Sequence, residues 1–128
     1  MKKKKTIYIS GKIGSYEISQ EVREKFQQVE EQLVSEGWEV VNPASVSYQQ
    51  DMKQALDIIR KTREMRKQYF DAYTEMLIYD FRQLKKCQAI YMLPGWLDSP
   101  GARAEHYFAK AIGKEVIYGA LHRPSVRR

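Results

Sequence analysis

Two carboxylates stand where a helical pattern calls for apolar side chains. Glu105 precedes Phe108 by three residues and Ile112 by seven, so all three share one helix face, which we expect to be buried. Asp80 precedes Leu84 by four residues in the same way. Burying an ionised carboxylate is costly unless the group is paired or used in chemistry. We therefore predict that Glu105 and Asp80 belong to a functional site.

A structural explanation for each carboxylate is an ion pair with a nearby base, such as Arg103 or Lys86. We favour function because the two occur together and close to a predicted anion site. That site is the helix start Ser99 to Gly101, where serine caps and proline suits the first helical position. The unpaired amides of such a helix start bind anions.

A second candidate for ligand binding is the loop that follows the first predicted strand. Its two glycines, Gly11 and Gly14, let backbone amides approach a phosphate, and Lys12 adds positive charge. The spacing matches neither a Walker loop nor a dinucleotide fingerprint, so a plain strand-to-helix turn explains it equally well. Its place at a strand's carboxyl end favours binding. The predicted substrate-binding residues are Ser10, Gly11, Lys12, Ile13, Ser99 and Gly101.

Strand and helix patterns alternate along the chain, which predicts an α/β fold of the three-layer Rossmann or flavodoxin-like type with a four-stranded parallel sheet. The whole chain, 1–128, forms one domain with a tail from about 120. Ligands in such sheets bind beyond the carboxyl ends of the strands. The predicted strands are 6–10, 38–41, 88–93 and 115–118, and the predicted helices are 19–37, an inserted 49–70, 72–86 and 100–112.

Composition narrows the function classes. The formal charge of +6 favours anionic partners, although much of it lies near the chain ends.

Cys87 is alone, which excludes a disulfide framework, and we expect it to be a small buried side chain. No stretch is long enough to span a membrane, so we expect a soluble, cytoplasmic protein. His106 and His122 are expected at the surface, and neither a metal nor a cofactor is predicted.

Three segments resemble the nucleoside 2-deoxyribosyltransferase-like superfamily: Tyr8 to Gly11, Asn42 to Ala44, and Ala89 to Trp96 followed by Ser99, Gly101 and Glu105. The resemblance covers nearly the whole chain except the inserted helix and the tail. Within the superfamily the chain is most similar to a branch of unknown function. It is next most similar to the 2'-deoxynucleoside 5'-phosphate N-hydrolases, whose catalytic loop spaces serine, glycine and glutamate in the same way.

The resemblance implies a role for each matching residue. It makes Glu105 the nucleophile, and Asp80 the aspartate that contacts the sugar or assists protonation. It places Ser99 and Gly101 beside a phosphate, and Gly11 and Ile13 in the first-loop pocket. The sequence departs from the superfamily pattern at Gln88, which replaces a usual aspartate, at His106 and Tyr107, which replace small residues, and in the inserted helix.

We therefore expect an N-glycosidase or deoxyribosyltransferase that acts on a nucleoside or nucleotide. The alternatives are a non-catalytic nucleotide-binding or sensor module and, least favoured, a nucleic-acid-binding accessory protein. The last is suggested only by basic residues along one helical segment, a pattern usual for a solvated face. Apolar residues of the inserted helix predict a homodimer or higher homo-oligomer. They are Met52, Leu56, Ile59 and Tyr69.

Overall fold

The computed structural model describes residues 5–14 and 17–120, and within them the predicted α/β fold is confirmed. The predicted tail beyond Ala120, together with His122 and Ser15, lies outside the described residues. Strands and helices follow in the order β1 (Thr6–Ser10), α1 (Gln20–Ser35), β2 (Glu39–Val41), α2 (Val46–Met65), α3 (Ala72–Lys85), β3 (Ala89–Met92), a short 3-10 turn (Trp96–Asp98), α4 (Pro100–Ala111) and β4 (Glu115–Tyr118).

The four strands form one parallel sheet in the order β2-β1-β3-β4. The chain runs from β1 outward to β2 and then crosses back over β1 to reach β3. The strand order therefore reverses between β1 and β3, as in flavodoxin-like folds. In such sheets the reversal opens a crevice beyond the carboxyl ends of those two strands.

The alternation of side chains along β1 divides the core into two layers. Ile7 and Ile9 pack with α1 residues such as Phe26. Tyr8, which points to the other face, packs with Leu84 of α3 and with small residues of α4. Because side chains two apart in a strand share a face, Ser10 lies on the side of Tyr8. Two polar residues of β1 are therefore directed towards α3 and α4.

The inserted helix differs from its predicted limits. It begins at Val46 because the Ser45 hydroxyl accepts a 3.2 Å hydrogen bond from the Tyr48 amide and caps the first turn. It ends at Met65, shortly before Lys67, whose φ of 54° does not continue a right-handed helix. Met52 is buried and α2 packs against α3, so part of its apolar stripe is covered within the chain.

Helices α1 and α4 begin at the serines that the sequence indicates as caps. The Ser19 and Ser99 hydroxyls each accept a hydrogen bond from the backbone amide three residues later. The expectation that Ile112 is buried is wrong, because α4 ends at Ala111 and Ile112 is 42% exposed.

Cys87 is buried as expected, and burial raises the pKa of its thiol to about 11. No helix in the described ranges is both long and apolar enough to cross a membrane.

Candidate active site

A cavity of about 230 Å³ opens at the crevice between the carboxyl ends of β1 and β3. Its walls come from the loop after β1, from α3, and from the start of α4. The lining includes seven of the eight predicted site residues: Gly11, Lys12, Ile13, Asp80, Ser99, Gly101 and Glu105. The remaining lining residues are Gly14, Pro43, Tyr73, Met76, Leu77, Asp98, Pro100 and Ala102. Fold topology thus gathers segments from separate parts of the chain around one space.

Glu105 projects from α4 towards the end of β1 and is buried. Its Oε1 accepts a 2.6 Å hydrogen bond from the Ser10 hydroxyl, and its Oε2 accepts a 2.9 Å bond from the Tyr8 hydroxyl. Ser10 is itself completely buried and does not line the cavity, so it positions Glu105 instead of facing a ligand. Among the described residues Glu105 makes no ion pair, so the expected alternative partner, Arg103, is not used.

Asp80 projects from α3 into the same cavity and is held by a residue of the inserted helix. The Tyr48 hydroxyl donates a 2.6 Å hydrogen bond to its Oδ1. The Tyr48 ring packs edge to face against Tyr79, with centroids 5.5 Å apart. Across the described chain Asp80 has no cationic partner either, and Lys86 stays apart from it. Neutral hydroxyl groups thus hold both carboxyl groups.

The two carboxyl groups resist ionisation. Burial and the neighbouring charge of Asp80 raise the pKa of Glu105 to about 8, against the hydrogen bonds from Ser10 and Tyr8. Burial raises the pKa of Asp80 to about 6, against the hydrogen bond from Tyr48. Burial also raises the pKa of both tyrosines, which keeps them protonated as donors. Between about pH 6 and about pH 8 the pair therefore holds one proton, mainly on Glu105, the group with the higher pKa.

The start of α4 forms the rim of the cavity. Ser99 accepts from the Ala102 amide, and the Gly101 amide belongs to the first turn, where a helix offers no acceptor. A Cβ at Gly101 would lie 3.7 Å from the Tyr73 hydroxyl, in ordinary contact, so glycine there keeps space open. Lys12 and Asp98 also line the cavity and bring opposite charges to it. The rim can therefore bind a polar group, with Asp98 opposing a strong anion.

Gly11 is required by a close approach between two loops. A Cβ at this position would lie 2.7 Å from Cδ1 of Leu93, nearer than carbon atoms approach. The Leu93 amide also donates a 2.8 Å hydrogen bond to the Ser10 carbonyl. Glycine thus lets the loop after β1 pass directly beside the end of β3, which fixes one wall of the cavity.

Two residues of this site, Tyr8 and Tyr48, were not predicted from the sequence, and the position of the neighbouring His106 was predicted wrongly. Tyr8 could have been found, because it precedes Ser10 by two residues in a strand. Tyr48 carries no such signal, since its contact with Asp80 depends on how α2 packs. The expectation of a surface His106 is wrong: it is buried against Trp96, with ring centroids 4.3 Å apart.

His106 turns away from the cavity because adjacent helical residues differ by about 100° in direction. Its Nε2 lies 2.8 Å from the Tyr118 hydroxyl, so it joins α4 to β4 behind the site. Within residues 5–14 and 17–120 no group of three or more His, Cys, Asp or Glu side chains is arranged to hold a metal ion.

These features define a three-layer α/β protein with a cavity at the topological switch point of a parallel sheet and, inside the cavity, two buried carboxyl groups with raised pKa values. The chain matches the family described as a domain of unknown function, DUF4406, over residues 5–118 and belongs to that family. Comparison with curated proteins and with solved structures finds no match.

Proposed function

We propose that this protein is an N-glycosidase or a 2-deoxyribosyltransferase that acts on nucleosides or nucleotides, with Glu105 as the nucleophile. The observation that carries the proposal is the Glu105 and Asp80 pair, buried, free of cations among the described residues, and open to a cavity at the sheet's carboxyl edge. The resemblance to the nucleoside 2-deoxyribosyltransferase-like superfamily supports the same chemistry.

The proposed reaction uses the single proton of the pair. The proton first moves from Glu105, the group of higher pKa, to Asp80; the Glu105 carboxylate then attacks the anomeric carbon of the sugar and the bond from carbon to the base nitrogen breaks. The proton on Asp80 passes to the departing base, which leaves a glycosyl ester on Glu105. Water then attacks the anomeric carbon, its proton returns to Asp80, and the Glu105 carboxylate is released. If a second base attacks instead of water, the reaction is a transfer.

Hydroxyl donors suit a carboxylate nucleophile better than a cation would. A lysine or arginine beside Glu105 would stabilise its negative charge and make it a poorer nucleophile. Ser10 and Tyr8 occupy one lone pair on each oxygen and fix the plane of the carboxylate. Each oxygen keeps a second lone pair for attack. The Glu105 carboxylate is therefore held in a fixed orientation while its negative charge is not neutralised.

The lining of the cavity fits a nucleoside in two parts. Its apolar wall suits a flat base, and the two carboxyl groups suit the sugar at the point where the bond is cleaved. The α4 start could receive a 5'-phosphate, favoured by Lys12 and opposed by Asp98. Nucleosides and their 5'-monophosphates are therefore both candidate substrates. The apolar lining residues are Ile13, Pro43, Tyr73, Met76, Leu77, Pro100 and Ala102.

The direct test is to incubate the purified protein with ribo- and deoxyribonucleosides and their 5'-monophosphates and to measure free base by chromatography. A second base is added in parallel reactions to detect transfer. We expect base release by the wild type and a loss of at least about a thousandfold in Glu105→Gln, since removal of a nucleophile has effects of this order. Glu24→Gln, an exposed change on α1, serves as the control. Saturable ligand binding with no base release by the wild type would favour a binding module instead.

A further inference from the structure

A second cavity, of about 550 Å³, lies between α2 and α3 on the side of α3 away from the candidate active site. The two cavities have no lining residue in common. The apolar part of the second cavity comes from Ala55, Ile59 and Ile78, and its polar part is mostly basic. We call it the basic groove, lined by Ala55, Ile59, Arg63, Glu75, Ile78, Tyr79, Arg82, Gln83, Lys85 and Lys86.

The positive charge of the basic groove is not balanced by ion pairs with the residues that the structure describes. Its one acidic residue, Glu75, is held by Arg63 in a 3.0 Å ion pair. Arg82, Lys85 and Lys86 are exposed and form no ion pair with any residue that the structure describes. Lys114 adds charge nearby, because its Nζ donates a 2.8 Å hydrogen bond to the Lys85 carbonyl. The groove is thus complementary to an acidic surface that also carries some apolar area.

The chain itself carries such a surface on α1 and its flanks. Residues 17–39 contain seven glutamates against two basic residues. Glu24 and Glu31 are exposed and seven residues apart, so they share one helix stripe. Val34, three residues after Glu31 and 54% exposed, adds apolar area beside it. Neither glutamate forms an ion pair with another described residue.

The acidic helix and the basic groove cannot meet within one molecule. Helix α1 packs on the face of the sheet formed by Ile7 and Ile9, whereas α3 packs on the face of Tyr8. One copy can therefore offer its α1 only to the groove of another copy. A contact between two different surfaces is heterologous, so it closes into a ring or continues as an open chain.

We propose that the basic groove binds helix α1 of a second copy of this chain. The apolar part of the groove receives the Val34 end of the stripe, and its cations face Glu24 and Glu31. Nucleic acid is the other anionic occupant to consider, but Tyr79 is the one aromatic residue that lines the groove, whereas single strands are bound by stacking successive bases on several aromatic side chains. Because exposed charges drive the contact, salt weakens it.

A charge-swap experiment tests the proposal by sedimentation velocity at low and high ionic strength. We expect the wild type to associate at low salt and to dissociate at high salt. Glu24→Lys/Glu31→Lys and Arg82→Glu/Lys86→Glu should each weaken association at least tenfold. An equimolar mixture of the two double variants should associate again, because each then carries a surface complementary to the other. Lys53→Glu/Arg66→Glu, which makes the same net charge change outside the groove, should leave association unchanged.

Three results would overturn the proposal. The first is a wild type that stays monomeric at low salt at the highest soluble concentration. The second is a mixture of the folded double variants that fails to associate, with folding checked by circular dichroism. The third is a monomeric wild type that binds an oligonucleotide through Arg82 and Lys86, which would assign the groove to nucleic acid. Because the groove shares no lining residue with the candidate active site, base release is expected to be unaffected in all of these variants.

Discussion

The Ser10 hydroxyl, at the end of β1, donates a 2.6 Å hydrogen bond to Oε1 of Glu105 on α4. The two residues are 95 positions apart in sequence, and both are buried. Since Tyr8 of the same strand holds the other oxygen, β1 alone sets the orientation of the carboxylate. A single strand of the sheet thus supplies both hydroxyl groups that hold the carboxyl group in the cavity.

Replacing Ser10 with alanine tests that connection. Loss of a hydrogen bond to the ionised carboxylate raises the pKa of Glu105 further, so less of the nucleophile is ionised at neutral pH. We expect base release at pH 7 to fall about tenfold and the pH profile to move in the alkaline direction. Ser47→Ala, which removes an exposed hydroxyl on α2, should change neither. A pH profile of Ser10→Ala that coincides with that of the wild type would contradict this role.

The Tyr48 hydroxyl is predicted to control the acidic limb of the pH profile. In Tyr48→Phe the Asp80 carboxylate loses its donor, so its pKa rises and the limb moves from about pH 6 to higher pH. The free energy of unfolding should fall by about 1 kcal/mol because the hydrogen bond is lost. Tyr79→Phe keeps the ring that packs against Tyr48 and is the matched control. A loss of stability without any change in the profile would make Tyr48 purely structural.

Stability is predicted to fall as the pH rises. Glu105 and Asp80 have raised pKa values in the folded chain, so between about pH 4 and about pH 8 the folded state binds more protons than the unfolded state. The stability that these two groups contribute is fully present at a pH below the ordinary pKa of a carboxyl group. It is lost as the pH rises through the pKa values that the groups have in the folded chain. Glu105→Gln cannot ionise and should have a Tm about 5 °C or more above that of the wild type at pH 8.

Thermal melts of the wild type and Glu105→Gln from pH 5 to pH 8 check this prediction. The Tm difference between them should grow with pH, whereas Glu24→Gln should follow the wild type. If Glu105 is kept for catalysis and not for stability, its replacement should give a variant that is more stable and less active. A Glu105→Gln protein less stable than the wild type at pH 8 would mean that the carboxylate supports the fold.

Gly101 is predicted to provide space for the ligand. The backbone of the fold does not require glycine at this position. The added methyl group in Gly101→Ala meets only ordinary contacts, and alanine favours a helix by up to about 1 kcal/mol. We expect equal or higher stability together with weaker ligand binding, measured by calorimetry with a nucleoside. By contrast, Gly11→Ala places a methyl group 2.7 Å from Leu93 and should destabilise the fold by about 1–3 kcal/mol. Unchanged binding in Gly101→Ala would mean that the ligand lies elsewhere.

Local patterns in the sequence were sufficient to predict the fold and seven of the fifteen residues that line the cavity. The serine caps at Ser19 and Ser99 depend only on residues close in the chain, and so does the β-branched and aromatic composition of β1. The parallel topology then brings the ends of β1 and β3 together without further information. For this reason Gly11, Ser99 and Glu105 could be assigned to one place in advance.

Contacts that depend on tertiary packing could not be predicted in the same way. The Tyr48 hydroxyl meets Asp80 only because α2 lies across α3 at one particular register. The burial of His106 follows from the position of the short turn at Trp96, which has no marked pattern in the sequence. The early start of α2 was missed because the capping role of Ser45 was not recognised.

The most direct test of the central claim is a ¹³C NMR titration of the Glu105 and Asp80 side-chain carboxyl groups. We expect two midpoints, near pH 8 and near pH 6, and each carboxyl signal should respond to both steps because the two groups titrate as a coupled pair. In Glu105→Gln the Asp80 signal should show a single step. If both carboxyl groups of the wild type titrate independently near their ordinary values of 4.5 and 3.8, they are not a buried proton-sharing pair and the proposed active site is wrong.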